Sequence, residues 1–392
     1  MTWKIGGAMD IAVSLFTYNR SYHTKMVLSS LKHSTILPSK LYVFQDGLRP
    51  GDDITEWKKV NMLIHAIDWC DTEVLVSVEN KGLAHSVLSG VNYAFKESDA
   101  VIVLEDDCVP TSNFISYMYQ CFEKYKNNEK VYSVSGYSWP IEVKRNQYDI
   151  YSCGRISSWG WGTWKDKWKV YNKDYESIRM MKQSETLSRN LAMWGQDLEE
   201  IVVGNVRGVC DSWAVFWALS VIAKGGVCLI PFDSFIRNIG MDGSGVHCGI
   251  TEEFEVDCID GQKKTFCLPD EIGEPSNETE YAFASFLGSY TAANRDQDKP
   301  KVLVYGVGGF FLKNERKINE DYYIERFVDI HKRGYFSGKQ ILKPHDILNY
   351  HFERILIMLQ DEKESKDIAG SLVQIYGIPK EKIILGCIKY SV

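Results

Sequence analysis

The sequence predicts an α/β protein built on a mostly parallel sheet flanked by helices. Three observations carry this. Short apolar runs alternate with helical patterns through the first 125 residues. Several of the runs are apolar throughout, as expected of strands covered on both faces. Polar residues gather where the runs end, the edge at which open α/β sheets place their ligands.

The elements follow in order. Residues 11–17 form the first run, which ends in Tyr18-Asn19-Arg20, and a helical pattern covers 22–33. The second run, 41–44, ends in Gln45-Asp46-Gly47 and is followed by a helix over 54–69. The third, 73–78, leads through Glu79-Asn80-Lys81-Gly82 into a helix over 83–95. The fourth, 101–104, is followed by Glu105-Asp106-Asp107 and then a helix over 112–125. Charge beside a core is costly unless compensated, so three acids at a strand end call for a reason. A hard divalent cation takes oxygen ligands and is commonly held by one or two carboxylates plus substrate phosphates. The alternative is a solvated acidic turn ahead of the helix. Arg20 suits a diphosphate, because guanidinium binds phosphate as a fork; its alternative is a surface ion pair. Asp46 suits a donor N–H or O–H of a base or ribose, or else forms the turn before Gly47. Together these residues describe a nucleoside-diphosphate site with a metal.

The order Phe16-Thr17-Tyr18-Asn19-Arg20, Gln45-Asp46-Gly47, then Leu104-Glu105-Asp106-Asp107 with Phe114-Ile115-Ser116-Tyr117 resembles nucleotide-sugar glycosyltransferases of the GT-A fold. The likeness is greatest to the N-acetylglucosaminyltransferase I type, with a Glu-Asp-Asp form of the metal motif, and bacterial family 2 transferases share the layout. It runs from about residue 11 to 249. The resemblance implies Asp107 as the direct ligand of Mn²⁺ or Mg²⁺. It implies Asp106 at the sugar or ribose, Glu105 at the ribose or a nearby donor group, Arg20 at the diphosphate and Asp46 at the uracil. Thr17, Asn19, Lys81 and Gly82 would lie along the donor. Cys210-Asp211-Ser212-Trp213 is similar to the segment that supplies the catalytic base, with one acid where the animal enzymes tend to have two. Arg237 and Gly243-Ser244-Gly245-Val246-His247 resemble the late loop that closes over the diphosphate, with His247 as a metal or phosphate ligand.

The chemistry asks for such a base. An acceptor hydroxyl is a poor nucleophile at neutral pH and needs a group to take its proton. One metal carboxylate and one separate base carboxylate suffice for a single displacement with inversion. Asp211 also precedes an apolar helical run, 213–223, and so reads equally as an N-cap. Between the two acidic regions lies Arg155-Ile156-Ser157-Ser158-Trp159-Gly160-Trp161-Gly162-Thr163-Trp164. Trp159 and Trp161 are candidates for a wall against a donor or acceptor sugar, or for a Trp-rich corner of the core.

Composition bounds the rest. With 392 residues, 45% of them hydrophobic, the chain has ample core for two or more domains. A net charge of −7 without a Lys/Arg block argues against a nucleic-acid partner. The 10 Cys include no C-x-x-C pair, and several sit in apolar runs, which predicts buried reduced thiols. Neither a signal peptide nor a transmembrane run is visible, so the expectation is a cytosolic bacterial enzyme, free or at the inner face of the membrane.

The predicted domains are a catalytic domain over 1–250, its end and a linker over 251–299, and an accessory unit over 300–392. The last opens with Lys301-Val302-Leu303-Val304-Tyr305-Gly306-Val307-Gly308-Gly309, like a Rossmann-type first turn without its third glycine. It resembles the small nucleotide-binding-like domains attached to bacterial sugar-modifying enzymes. With 15 basic and 12 acidic residues over 301–392 it carries +3, and the remainder −10, so it reads as an interaction or homodimerisation module. The expected function is metal-dependent, inverting transfer of a hexosyl or N-acetylhexosaminyl group from a nucleoside-diphosphate donor, a UDP-sugar first, to a glycan or lipid-linked acceptor in surface polysaccharide synthesis. The alternatives are a nucleotidyltransferase, disfavoured because no glycine-rich loop follows the first strand, and a non-enzymatic nucleotide-sugar binding protein.

Overall fold

The computed structural model describes residues 9–392 apart from 196, 209, 245–253, 259, 262–264, 293–299, 333, 337–338, 351 and 391–392. The chain divides into two compact units, Met1–Leu287 and Gly288–Val392.

In the first unit the predicted alternation is realised. Strand β1 (Ile11–Thr17) leads to α1 (Ser21–Lys32), β2 (Leu41–Gln45) to α2 (Ile54–His65), β3 (Thr72–Val76) to α3 (Leu83–Ala94), and β4 (Ala100–Glu105) through β5 (Cys108–Pro110) to α4 (Phe114–Tyr125). Every residue of β1 is buried, and of β4 all but Glu105, which is why both read as continuous apolar runs. Then come β6 (Val131–Ser135), β7 (Ile150–Cys153), β8 (Trp161–Trp164), α5 (Lys165–Trp168), α6 (Ser177–Lys182), α7 (Glu185–Trp194), α8 (Leu198–Val206), α9 (Trp213–Ala223), β9 (Val227–Pro231), β10 (Ile236–Asn238) and α10 (Asn277–Ala292).

Eight strands make one sheet in the order β3-β2-β1-β4-β8-β6-β9-β7. Strands β1 to β4 are parallel, β8 runs against both β4 and β6, and β7 runs against β9. Two apolar layers cover the sheet. One joins α3 and α9 to Trp161, Trp168 and Trp194, and the other joins α1, α2 and α4 to Trp164. A separate antiparallel pair, β5 and β10, sets Arg237 opposite Val109 and Asn238 opposite Cys108. The run of helices α6 to α8 is tied to the sheet by a buried ion pair, in which Arg155 donates to Asp197 at 2.7 and 3.0 Å and to the Trp194 carbonyl at 3.1 Å.

The second unit has β11 (Lys301–Tyr305), α11 (Gly309–Asp321), β12 (Tyr323–Val328), β13 (Tyr335–Phe336), β14 (Lys339–Leu342), β15 (Arg354–Ile357), α12 (Glu362–Tyr376), β16 (Ile383–Leu385) and α13 (Gly386–Lys389). The sheet order is β13-β14-β12-β11-β15-β16, parallel except for β13. Asp329, just past β12, accepts from the amides of His331 and Lys332, at 2.8 and 2.9 Å, and from that of Val307 in the glycine turn.

None of the nine described cysteines is disulfide-bonded; five are buried, Cys108 and Cys228 among them, whereas Cys210 is half-buried. Among the described residues no helix is long and apolar enough to cross a membrane.

Candidate functional site

Parallel pairing brings the ends of β1, β2 and β4 side by side. Phe16 stands next to Glu105, and Thr17 next to Gln45. Thr17 is buried, and its hydroxyl donates to the Phe44 carbonyl at 3.1 Å. Asn19 and Arg20 follow in the turn that opens α1, with Asn19 half-buried.

The acid triplet is built around Arg20. Its guanidinium donates to Asp107 Oδ2 at 2.8 Å and, through two nitrogens, to both oxygens of Asp106. Burial opposes the charge on Arg20, but Asp106 and then Asp107 more than offset it, so its pKa lies above the ordinary value. Burial also raises the pKa of Asp106, against the pull of Arg20. The Glu105 carboxylate has no hydrogen bond or ion pair among the described residues. Burial pushes its carboxyl up to about 8, and the neighbouring Asp107 and Asp106 add to the shift.

Asp46 acts on the backbone. Its buried carboxylate accepts from the amide of Gly47 at 2.9 Å, from that of Lys81 at 2.9 Å and from that of Gly82 at 2.9 Å. It thereby pins the β3–α3 loop to the end of β2. The Lys81 side chain is left exposed. Gly82 adopts a φ of +81°, a left-handed conformation that favours glycine, and it is the N-cap of α3. Asp211 Oδ2 lies 3.8 Å from where a Cβ on Gly82 would stand, so this loop meets the start of α9.

Asp211 is not the N-cap of α9. Ser212 fills that role, its hydroxyl accepting from the Val215 amide at 3.4 Å. The Asp211 carboxylate therefore stays exposed, and among the described residues its ion pair is with Lys173 Nζ at 3.4 Å. Lys173 was not singled out in the sequence. It lies in a polar stretch, 169–176, with no periodic signal, and its ammonium stands over the Phe216 ring of α9 at 5.7 Å.

The segment after β10 closes on the acids. The Ile239 amide donates to the Asp107 carbonyl at 2.9 Å. At Gly240 a Cβ would come within 2.2 Å of Asp107 Oδ2, so a side chain there would force Asp107 to shift. His23, buried in α1, reaches the Ile239 carbonyl and Asp242, each at 3.2 Å. Sequence reasoning missed Gly240 and His23, since neither belongs to a charged motif. Arg237 is exposed beside β5, within reach of Cys258. His247 lies outside the described residues.

The two tryptophans part company. Trp161 is fully buried and stacks on Trp213 with ring centroids 4.9 Å apart, so it belongs to the core and the sugar-wall expectation does not fit it. It is the central strand β8 that turns this ring inward. Trp159 is half-buried and packs edge-on against Tyr137 at 4.7 Å.

Glu105, Asp106 and Asp107 form an oxygen-only donor set, which fits a hard divalent cation in chemistry. Two of the three already bind one positive group, the guanidinium of Arg20. As arranged, no cluster of three or more His, Cys, Asp or Glu among the described residues could hold a metal ion.

Residues 298–384 match the family described as C2185-like, N-terminal. No curated protein matches the chain. Among solved structures the chain is similar to S. aureus TarS 1-349, with 9% identity and a TM-score of 0.36 over 58% of this chain and 60% of that one. It is also similar to the mannosyltransferase PcManGT from Pyrobaculum calidifontis in complex with GDP-Man and Mn²⁺, with 11% identity and a TM-score of 0.32 over 57% of this chain and 77% of that one. A further similar structure is TarS 1-349 in complex with UDP-GlcNAc, with 10% identity and a TM-score of 0.33 over 58% of each chain. The match thus spans three-fifths or less of the TarS 1-349 length.

Proposed function

We propose that this protein is a glycosyltransferase that moves a sugar from a nucleoside-diphosphate donor to an acceptor hydroxyl, with inversion. One observation supports the reading above the others. Arg20 and the carboxylate triplet meet at the ends of β1 and β4, and the loop that Asp46 pins to the end of β2 meets a separate carboxylate, Asp211, at the start of α9. That is the equipment for a diphosphate leaving group and a proton acceptor. Arg20 is the group to bind the diphosphate, and Asp107 would hold Mn²⁺ or Mg²⁺. When bound, the ion supplies Lewis-acid stabilisation of the leaving diphosphate. Asp46 contributes by fixing the Lys81–Gly82 backbone under the donor. Asp211 takes the proton of the acceptor hydroxyl, and the half-exposed Trp159 borders the sugar. A UDP-sugar is the first donor to try, and the acceptor is a glycan or lipid-linked sugar of a surface polysaccharide, handled at the cytosolic side.

The test is nucleoside-diphosphate release from a panel of UDP- and GDP-sugars with Mn²⁺, on wild type and on Asp211→Asn. Asn keeps the size of the side chain but cannot accept the proton. Because Ser212 caps α9, the change leaves the helix start intact. The expected result is a turnover loss of about 10²–10⁴, the usual range for a general base, with donor affinity within a few-fold of wild type. Near-normal turnover in the variant would move the base elsewhere. No release from any donor would sink the transferase reading.

A further inference from the structure

The contacts of Arg20 carry an inference about how this site is filled, and it rests on the donor and metal reading proposed above. Both oxygens of Asp107 already accept a hydrogen bond. Its Oδ2 accepts from Arg20 at 2.8 Å and lies against the backbone at Gly240, while Oδ1 accepts from the Cys108 thiol at 3.5 Å. Both oxygens of Asp106 are taken by the same guanidinium. A divalent cation and Arg20, both positive, thus compete for these carboxylates. Moving a largely buried guanidinium aside with nothing to receive it would leave an uncompensated charge, which is strongly unfavourable. Its remaining nitrogen, Nη1, is shut off from solvent and has no hydrogen-bond partner among the described residues. That nitrogen is an unused donor beside the two that bind the acids, so the fork is suited to accept an anion with several oxygens.

We propose that Arg20 is the resident counter-cation of Asp106 and Asp107 in the donor-free protein, and that it exchanges these carboxylates for the donor's diphosphate when the donor arrives. Each ligand then removes the obstacle to the other. The diphosphate draws the guanidinium off the acids, and a cation on the acids frees the guanidinium for the diphosphate. Cation and donor binding are coupled through one side chain, and by linkage the coupling is the same in both directions.

The test measures Mn²⁺ binding by electron paramagnetic resonance and by calorimetry, alone and with UDP or GDP, on wild type, Arg20→Met and Arg20→Lys. In wild type the nucleotide should tighten Mn²⁺ by about tenfold or more, within the usual range of coupling. Arg20→Met should bind Mn²⁺ alone at least about fivefold more tightly than wild type, bind the nucleotide more weakly, and lose most of the coupling. Arg20→Lys keeps a charge without the fork and should fall between the two. It decides the matter if a melting curve shows Arg20→Met unfolded. Mn²⁺ affinity unchanged or weaker in the variants would overturn the exchange. If that result came with a wild type that still releases nucleoside diphosphate from a donor, the transferase reading would stand and the exchange alone would fall. If no protein bound Mn²⁺ or either nucleotide, both would fall.

Discussion

At the scale of the residue, the site is a problem of uncompensated charge. Three adjacent carboxyls stand beside one guanidinium, and among the described residues Arg20 is ion-paired with two of them, Asp106 and Asp107. Glu105 is left to burial, which pushes its carboxyl from an ordinary 4.5 up to about 8. The folded state therefore holds that proton more tightly than the unfolded state does. Stability from this group is intact below about 4.5 and is lost as pH rises toward 8, the reverse of the usual salt-bridged acid. Glu105→Gln, which cannot ionise, should remove that loss. In metal-free buffer, the urea midpoint of wild type should fall relative to the variant between pH 5 and 8, and the two should run parallel below pH 4. A constant offset across the range would mean that Glu105 ionises normally. The types of residue at this site were legible in the sequence, because acids and an arginine at strand ends have few other uses. Their partnerships were not. Which cation neutralises the acids, which atoms Asp46 binds and which residue caps α9 depend on contacts between segments far apart in the chain.

At the scale of the element, close packing between helix and sheet sets the frame for those side chains. Helix α3 lies on β1 and β2 through Gly90, where a Cβ would come within 2.5 Å of the Phe16 ring and 3.0 Å of Phe44. Those two rings stack at 5.0 Å directly beneath the strand ends that carry Arg20 and Asp46. Gly90→Ala should therefore cost about 1–3 kcal/mol by overpacking, although alanine is the better helix former. A chemical-denaturation series would show it, and an unchanged or raised midpoint would mean that α3 has slack at this position. Strands β1, β2 and β4 were readable because parallel strands under helices are apolar on both faces, and β3, at the edge of the sheet and only half-buried, from its Val-Leu-Val run. Helix α2 ends at His65 rather than near residue 69, because Ile67 and Trp69 continue the apolar pattern from a loop packed on the core. Strand β8 was missed. It is four residues long, contains a glycine, and owes its place to pairing with β4 and β6 rather than to local propensity. The same pairing decides between the two tryptophans. Trp161 stands opposite Val103 on a central strand, whereas Trp159 precedes the strand and stays half-exposed. Helices α6 to α8 were also unread, being only 6 to 10 residues each.

At the scale of the whole molecule, the residues proposed for chemistry all belong to the unit Met1–Leu287. That unit has its own two apolar layers over one eight-stranded sheet. Helix α10 belongs to it energetically, since Phe283 is fully buried and meets Trp139 and Trp194 edge-on at 5.6 and 5.4 Å. The second unit has separate cores on both faces of its own sheet, one around Phe311 and Phe327 and one around Ile347 and Leu372. Cutting between the units should break neither core, provided that α10 is kept. A chain shortened to end at Ala292 should therefore fold, with a melting transition of its own, and should still release nucleoside diphosphate from the donor that the full chain uses. Its expected defect lies in self-association or acceptor engagement, because the removed part carries the positive share of the charge. Light scattering on both chains tests the first and transfer to a glycan acceptor the second. A shortened chain that melts cooperatively yet releases no nucleotide would show that the second unit completes the active site. One ending before Phe283 should lose the cooperative transition altogether, since the aromatic contacts that seat α10 go with it.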